Sequence, residues 1–418
     1  MSLLPKAVAI AKDMVVAMQF GATQTLDIYL MAFVLIGVPV SIVVVAMQTT
    51  LIPALADKDA SGSAGLLGGA VKLATGLLAL ALPIWLVLLP VALATLYPQS
   101  EPDTRQALLM ACLWLIPYYF INGINWLLYG ALQARKAFWP NALLPGLFPL
   151  AIMVAVWWMP GADIRSLLIG TVIGSLLEFA VLYRVLKRRR LLRLRDTAGS
   201  GLLPVVRLAT PLMAGGIIAA FAPVIEQLIA FRLGPGAVSL LSFGGKVPAA
   251  LNGLLVTAVG IVVLPHFAEL IVRRDWGQCR MLHLRLSGIA LGGGVLIAAI
   301  GMALAVSIIE LLFERGAFTS ADTQNAAAIM RAYLLQLPFL LLAIVSMRAL
   351  VALGKTLTLT WITTGQLLLG ASLAYVLSAE HGVVGVALGT SVAAMVGAVL
   401  FAMTAWHQLN SQLRNPAA

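Results

Sequence analysis

Six ionisable side chains lie inside stretches of this sequence that are otherwise apolar enough to cross a membrane: Lys12, Asp13, Asp27, Glu226, Lys246 and Arg348. Each costs about 2.5–3.5 kcal/mol at the centre of a membrane helix. Charges kept at such a cost usually face a wetted internal path, where they bind a polar solute or an ion. The six positions therefore predict a transport protein.

The first apolar segment contributes an adjacent pair, Lys12 and Asp13. Neighbouring residues point about 100° apart on a helix, so both side chains cannot face lipid comfortably. Two interpretations stay open at this point. In one, Lys12 binds an anionic headgroup; in the other, it forms a structural ion pair with Asp13 or Asp27.

The other three charges belong to the second half of the chain. Lys246 directly follows two glycines and precedes Pro248, which predicts an irregular helix whose backbone lines a cavity. Glu226 has no basic neighbour in sequence and is suited to bind Na⁺ or a proton, the alternative being a hydrogen bond to a neighbouring helix. Arg348 lies near the end of its apolar segment, where it either meets substrate or extends its head group to the membrane surface.

These charges must be positioned by membrane helices, because the composition does not fit a soluble domain. The chain has 418 residues, of which 61% are hydrophobic and 10% charged, and its mean hydropathy is +1.00. With about 20 residues needed per crossing, we predict an all-α polytopic protein with about twelve transmembrane helices. The predicted spans are 5–20, 26–51, 66–97, 107–132, 140–159, 166–186, 203–232, 238–271, 283–313, 323–352, 357–378 and 383–408.

The net charge of +11 follows the positive-inside rule rather than the pattern of a nucleic-acid-binding protein. Lysine and arginine cluster in alternate connections, as at Arg135–Lys136 and in the run 187–195, whereas the intervening connections hold mostly single arginines such as Arg105 and Arg165. This distribution predicts that both termini are cytoplasmic.

No signature of a soluble enzyme is present. The sequence lacks a glycine-rich phosphate loop and an HExxH motif, and His266 and His283 are too far apart in sequence to indicate a metal site. We therefore predict no enzyme, no metal and no cofactor. Without a motif for ATP hydrolysis, the energy source is a Na⁺ or H⁺ gradient, the membrane potential or the substrate gradient.

The two halves of the chain form a weak internal repeat. Gly21 followed by Pro53 is mirrored by Gly234 followed by Pro265 at nearly the same spacing. Further on, the segments DTRQALL and DTQNAAA each open a span. An offset of six helices predicts two parallel-repeat six-helix lobes, 1–187 and 202–418, around a central cavity and joined by a basic cytoplasmic linker, 188–201. Such lobes work by alternating access.

Several motifs resemble one family. They are LLFERGAFTSADT (311–323), AKDMVVAMQFGA (11–22), GALQARKAFWPNALLP (130–145), the segment 244–270 and RALVALGKTLT (348–358). Taken in chain order, they resemble the MurJ/MviN family of lipid II flippases, within the multidrug/oligosaccharidyl-lipid/polysaccharide exporter superfamily. The resemblance implies a two-lobed helical transporter with a cationic cavity, which moves undecaprenyl-pyrophosphate-linked glycans between the leaflets of the inner membrane.

The resemblance also implies roles for the six charges. Lys12 and Asp13 match the family's Arg-Asp pair, Asp27 its acidic residue in the second helix, and Lys246 and Arg348 two cavity arginines. The implied substrate-binding set is therefore Lys12, Asp13, Asp27, Lys246 and Arg348, with Glu226 as the coupling-ion candidate. Three departures stand out: the second helix lacks the family's cavity arginine, lysine replaces arginine twice elsewhere, and two final helices of full-length members lie beyond the twelve predicted spans. Lysine is a point charge, whereas arginine contacts a phosphate in bidentate fashion.

Our leading hypothesis is a flippase for a polyprenyl-pyrophosphate-linked saccharide like lipid II, with membrane lipids and no nucleic acid as further partners. One alternative is a flippase for an exopolysaccharide or O-antigen repeat unit, which the missing arginines favour. A second is a cation-coupled exporter of small molecules, for which an acidic cavity is expected. A third is a non-transporting membrane scaffold. The sequence leaves the glycan, the coupling ion and the oligomeric state open.

Overall fold

The protein is helical throughout the part described by our computed structural model, which covers residues 3–57, 60–96, 102–159, 161–189, 191 and 202–414. No strand occurs in these ranges. The helices of the first half are α1 (Leu3–Phe20), α2 (Gln24–Ala56), α3 (Ala60–Leu96), α4 (Pro102–Trp114), α5 (Ile116–Ala134), α6 (Phe138–Leu143), α7 (Leu147–Trp158) and α8 (Ile164–Arg188), with a 3₁₀ turn Leu144–Gly146 between α6 and α7. Those of the second half are α9 (Leu202–Phe231), α10 (Ala237–Val272), α11 (Trp276–Ala303), α12 (Ala305–Phe313), α13 (Ser320–Leu334), α14 (Leu337–Ala352) and α15 (Thr356–Arg414).

Eight helical segments of the described chain are long and apolar enough to cross a membrane, and nine if α4 and α5, bent by 45°, form one span. The predicted all-α, multi-pass class is therefore confirmed. The number of twelve crossings stays a prediction, although each predicted span falls on one helix, on a broken helix pair or on one part of α15. Gly382, at φ 56° and ψ −137°, interrupts α15 between the last two predicted spans.

The chain divides into two compact units. Unit 1 comprises Met1–Val224 together with Arg315–Phe318, and unit 2 comprises Ile225–Glu314 together with Thr319–Ala418. The division lies within α9, whereas the sequence prediction places lobes at 1–187 and 202–418. Most of the predicted linker 188–201 lies outside the described residues, and the lobe boundaries stay a prediction.

In unit 1, α2 is the central helix and packs against α3, α4 and α5, while α8 packs against α5 and α7. Glycines allow close approach where bulky side chains would separate the helices. A Cβ atom at Gly170 would lie 2.7 Å from the Ile152 Cα atom, and one at Gly174 would lie 2.8 Å from the Phe148 carbonyl oxygen. These contacts bring α7 and α8 together along their lengths.

Unit 2 has an equivalent centre, because α14 packs against α10, α11 and α15. The breaks between α4 and α5 and between α13 and α14 are each followed by a proline at the start of the next helix, Pro117 or Pro338. Proline lacks the amide hydrogen that helix continuation requires and is favoured in the first helical turn. Both units therefore contain a helix break of the same kind, with a proline at the start of the helix that follows.

Candidate functional site

The first-helix pair is ion-paired in unit 1. Lys12 Nζ lies 2.5 Å from Asp13 Oδ1, and the two side chains are 20% and 12% exposed. Of the two interpretations of Lys12, the ion pair with its neighbour is the one that the structure describes. The pairing neutralises both charges locally, which lowers the free-energy cost of burying them in a membrane helix. Binding of substrate by Lys12 and Asp13 stays a prediction.

Asp27 is the most buried of the six charges, with only 1% of its surface exposed. It lies in the first turn of α2, and its backbone amide donates to the Thr23 carbonyl oxygen at 3.0 Å. A carboxylate in the first turn is stabilised by the partial positive charge of the helix N-terminus. The helix N-terminus therefore stabilises Asp27 independently of any substrate.

The end of α1 is covered by the segment 315–318, which connects α12 to α13 and belongs to unit 1. The Ala317 amide donates to the Met18 carbonyl oxygen at 2.8 Å. Gly21 and Gly316, at φ 58° and 59°, permit the approach: a Cβ atom on either would lie 2.4 or 2.3 Å from a backbone oxygen of the other segment. Phe318, 2% exposed, completes the packing. The motif that carried the family resemblance thus includes a segment packed on the helix that bears Lys12.

Glu226, the coupling-ion candidate, is hydrogen-bonded within unit 2. Tyr333 Oη of α13 donates to Glu226 Oε2 at 3.0 Å, and the Thr390 side chain of α15 interacts with the same carboxylate. The adjacent Gln227 Oε1 atom is buried and accepts no hydrogen bond from the described residues. Sequence reasoning missed Tyr333 and Thr390, which lie more than a hundred positions away and carry no motif.

Lys246 lies on α10 where this helix packs against α13. A Cβ atom at Gly244 would lie 2.7 Å from the Ala326 carbonyl oxygen, so the glycine is required by the packing. Pro248 lies inside α10 and cannot donate to the Gly244 carbonyl oxygen four residues earlier. The helix α10 nevertheless continues through this region, and the irregularity is limited to the hydrogen bond that Pro248 cannot form. That its backbone lines a cavity beside Lys246 stays a prediction.

Arg348 belongs to α14, and its side chain packs against α10 where Gly260 leaves room for it. A Cβ atom at Gly260 would lie 2.7 Å from Arg348 Nη2. The half-buried guanidinium makes no hydrogen bond or ion pair with any described residue, so its five N–H groups stay available to an anion. No simple sequence signal singles out Gly260, because isolated glycines are common in membrane helices.

The six predicted residues fall into two sets. Lys12, Asp13 and Asp27 belong to unit 1, whereas Glu226, Lys246 and Arg348 belong to unit 2. A single cavity lined by all six stays a prediction. No group of three or more His, Cys, Asp or Glu side chains able to hold a metal occurs within the described ranges.

Comparison with known proteins identifies the family. The family model "Lipid II flippase MurJ" matches residues 16–415. A protein of Synechocystis sp., "Probable lipid II flippase MurJ", is 26% identical over 96% of this chain and 78% of its own length.

Solved structures share the fold. A structure described as "Lipid II flippase MurJ, inward closed conformation" superposes with a TM-score of 0.79 at 22% identity, covering 98% of this chain and 88% of the other. An inward-facing multidrug resistance MATE family transporter of the MOP superfamily has a TM-score of 0.77 at 14% identity, covering 100% and 97%. The family model, which matches residues 16–415, places the chain among transporters rather than enzymes, and together with its apolar helices it indicates a multi-pass protein of the inner membrane. The chain belongs to the lipid II flippase MurJ family.

Proposed function

We propose that this protein moves a polyprenyl-pyrophosphate-linked saccharide of the lipid II type from the cytoplasmic to the outer leaflet of the bacterial inner membrane. The observation that carries the proposal is Arg348, a half-buried guanidinium with no carboxylate partner in the described chain, beside Gly260. A pyrophosphate cannot enter an apolar medium without compensating cations, and a guanidinium contacts phosphate oxygens in bidentate fashion. Arg348 is placed to supply such a contact.

Lys246 supplies a second cation. It belongs to α10, the helix against which the Arg348 side chain packs at Gly260. Lys12 supplies a third when its ion pair with Asp13 opens, and Asp13 and Asp27 then orient the cations of unit 1. Glu226 binds the coupling cation, Na⁺ or H⁺. Alternating access is the mechanism that this assignment requires, and it is supported by solved structures of the same fold described as inward closed and inward-facing.

We also propose that both termini are cytoplasmic. Contacts inside unit 1 support this orientation. Gln24 Nε2 donates to Thr104 Oγ1 at 2.7 Å, and Ala317 donates to Met18, so three connections lie at one end of the unit. Two of them contain the single arginines Arg105 and Arg315, as expected for the outer side of the membrane.

The test is a flipping assay in proteoliposomes with purified full-length protein and fluorescent lipid II. Arg348→Ala should lower the initial rate about tenfold or more, because a hydrogen bond to a charged group contributes about 1.5–3 kcal/mol. Arg348→Lys should retain part of the activity, since the charge remains while the planar fork is lost. Arg285→Ala, which removes the same charge from an exposed position on α11, is the matched control and should flip at the wild-type rate.

Unchanged flipping by Arg348→Ala would overturn the assignment of this residue. A second lipid substrate in the same assay addresses the alternative function, which the lysines at positions 12 and 246 favour. If the protein moves a polyprenyl-pyrophosphate-linked oligosaccharide without a peptide and leaves lipid II in place, it is a polysaccharide repeat-unit flippase.

A further inference from the structure

A second buried carboxylate lies in unit 1, between α5 and α8. Asn125 and Tyr129, four residues apart, form one face of α5, and Ser175 and Glu178, three residues apart, form the facing side of α8. Tyr129 Oη donates a short hydrogen bond to Glu178 Oε1, and Asn125 Nδ2 donates to the Ser175 carbonyl oxygen at 3.3 Å. The four residues form a compact polar cluster in an otherwise apolar helix interface.

Glu178 lacks the compensation that an ionised carboxylate needs at this depth. It is 8% exposed and lies in the interior of a segment apolar enough to span the membrane, Ile164–Arg188. No Lys, Arg or His side chain in the described ranges forms an ion pair with it. An isolated ionised carboxylate in such a place is unfavourable and becomes neutral unless a cation joins it.

The cluster also contains a polar atom without a partner. Asn125 is 2% exposed, and its Oδ1 atom is buried and receives no hydrogen bond from the described residues. The same side chain interacts with the Glu178 carboxylate. Buried acceptors are nearly always satisfied, so this oxygen marks an incompletely satisfied polar site within the cluster.

Among the described residues on the helices packed around Glu178, the other titratable groups that face it are phenols. From α5 the facing groups are the phenols of Tyr118 and Tyr129, and from α2 the group is Tyr29, which pairs with Thr171 of α8. The helix α7 and the adjoining 3₁₀ turn contribute no titratable side chain. On α8 itself, Arg184 and Lys187 are exposed and lie further along the helix.

We propose that Glu178, Tyr129 and Asn125 form a proton-binding site in unit 1, distinct from Glu226. A proton taken from hydronium in the aqueous phase bonds to the carboxylate oxygen of Glu178 that Tyr129 does not occupy, and water is released. This single proton neutralises the charge and so removes the cost of burying an ionised carboxylate at this depth. A metal ion needs several ligands at once, and the described residues contain no group of three or more His, Cys, Asp or Glu side chains that could hold one, which favours the proton.

Infrared difference spectroscopy of the full-length protein in lipid nanodiscs, without sodium, tests this site without any transport measurement. Spectra recorded as the pH is raised should show a protonated-carboxyl band that disappears in the wild type and is missing from Glu178→Gln. Glu310→Gln, a matched change at an exposed position of α12, should retain the band. Tyr129→Phe keeps the carboxyl group but removes its donor, and should shift the pH at which the band disappears.

A pH-difference spectrum of Glu178→Gln identical to that of the wild type would overturn the proposal. Disappearance, on addition of Na⁺ at constant pH, of the part of the band that Glu178→Gln lacks would also overturn it, because the site would then bind a metal ion. If Glu178→Gln does not fold, Tyr129→Phe decides: an unchanged spectrum excludes Glu178 as the titrating group. Binding of the proton does not depend on the proposed substrate, so failure of the flipping assay leaves this test intact.

Discussion

At the scale of single residues, the buried charges of this protein differ in how far they are compensated. Lys12 and Asp13 neutralise each other, Glu226 accepts a hydrogen bond from Tyr333, and Arg348 has no anionic partner in the described chain. Burial of a charge is least costly when it is paired and most costly when it is not. Arg348 is therefore the position at which an external anion gains most by binding.

The contact between Gly260 and Arg348 leads to a prediction. Gly260→Ala places a methyl group 2.7 Å from Arg348 Nη2 and must displace the guanidinium. The side chain is flexible, so we expect little loss of stability but a fall in the lipid II flipping rate towards that of Arg348→Ala. Gly253→Ala, on the same helix with no atom within 4 Å of the new Cβ, is the control. Equal rates for both variants would show that the position of the guanidinium does not matter.

A second residue-scale prediction concerns Glu226. If this carboxylate binds the coupling cation, Glu226→Gln should abolish the dependence of flipping on an imposed Na⁺ or H⁺ gradient. Tyr333→Phe should preserve that dependence but change the apparent cation affinity about tenfold or more, because one hydrogen bond to a charged group is lost. Flipping is measured with each gradient imposed separately, and Tyr375→Phe, which changes an exposed phenol, serves as the control. Gradient dependence that survives in Glu226→Gln contradicts the assignment.

At the scale of elements, the segment 315–318 shows how a short connection restrains a helix. Its packing on the end of α1 depends on two backbone positions with positive φ, Gly21 and Gly316. Glycine adopts this conformation freely, whereas other residues are strained there. At both glycines, a backbone oxygen of the opposing segment occupies the space that a Cβ atom would need. A backbone oxygen cannot move aside as a flexible side chain does.

This packing predicts that Gly21→Ala and Gly316→Ala each destabilise the protein more than a glycine replacement with conformational strain alone. Gly354→Ala provides that comparison, because Gly354 has φ 71° but no atom within 4 Å of the new Cβ. Strain costs about 1–2 kcal/mol at each position, and the backbone clash adds about 1–3 kcal/mol at the first two. Thermal unfolding of the purified protein in detergent measures the difference. A similar loss for all three variants would mean that 315–318 does not restrain α1.

At the scale of the whole molecule, the distribution of positive charge and the internal contacts of unit 1 agree on one orientation. Arg315 lies in a connection at one end of unit 1, and Arg105 lies in the first turn of α4 at the same end. Arg135 follows α5, and its Nη2 atom donates to Ser63 Oγ of α3 at 2.5 Å. The proposed orientation, with both termini cytoplasmic, is the one that the positive-inside rule favours for the sequence as a whole.

This orientation is tested with single cysteine substitutions. Arg165→Cys should react with a membrane-impermeant maleimide on intact cells, whereas Lys355→Cys should react only after permeabilisation. Both side chains are exposed, so differences in burial do not explain the result. The native Cys112 and Cys279 are 0% exposed and provide a silent background. The reverse pattern of labelling would place the termini outside the cytoplasm.

The sequence by itself determined the helical, membrane-spanning class and the positions of the six charges. These features are local, since hydropathy and helix length act within a few turns of one helix. The helix breaks before Pro117 and Pro338 also have a local cause, the missing amide of proline, although the sequence prediction gives each region as one continuous span. Even the ion pair between Lys12 and Asp13 lies within reach of such reasoning. The tertiary structure alone decided which groups surround each charge. Tyr333 contacts Glu226, Asn125 and Tyr129 contact Glu178, and Gly260 leaves room for Arg348. These contacts form because the positions of small residues along the helices determine which helix faces can pack closely.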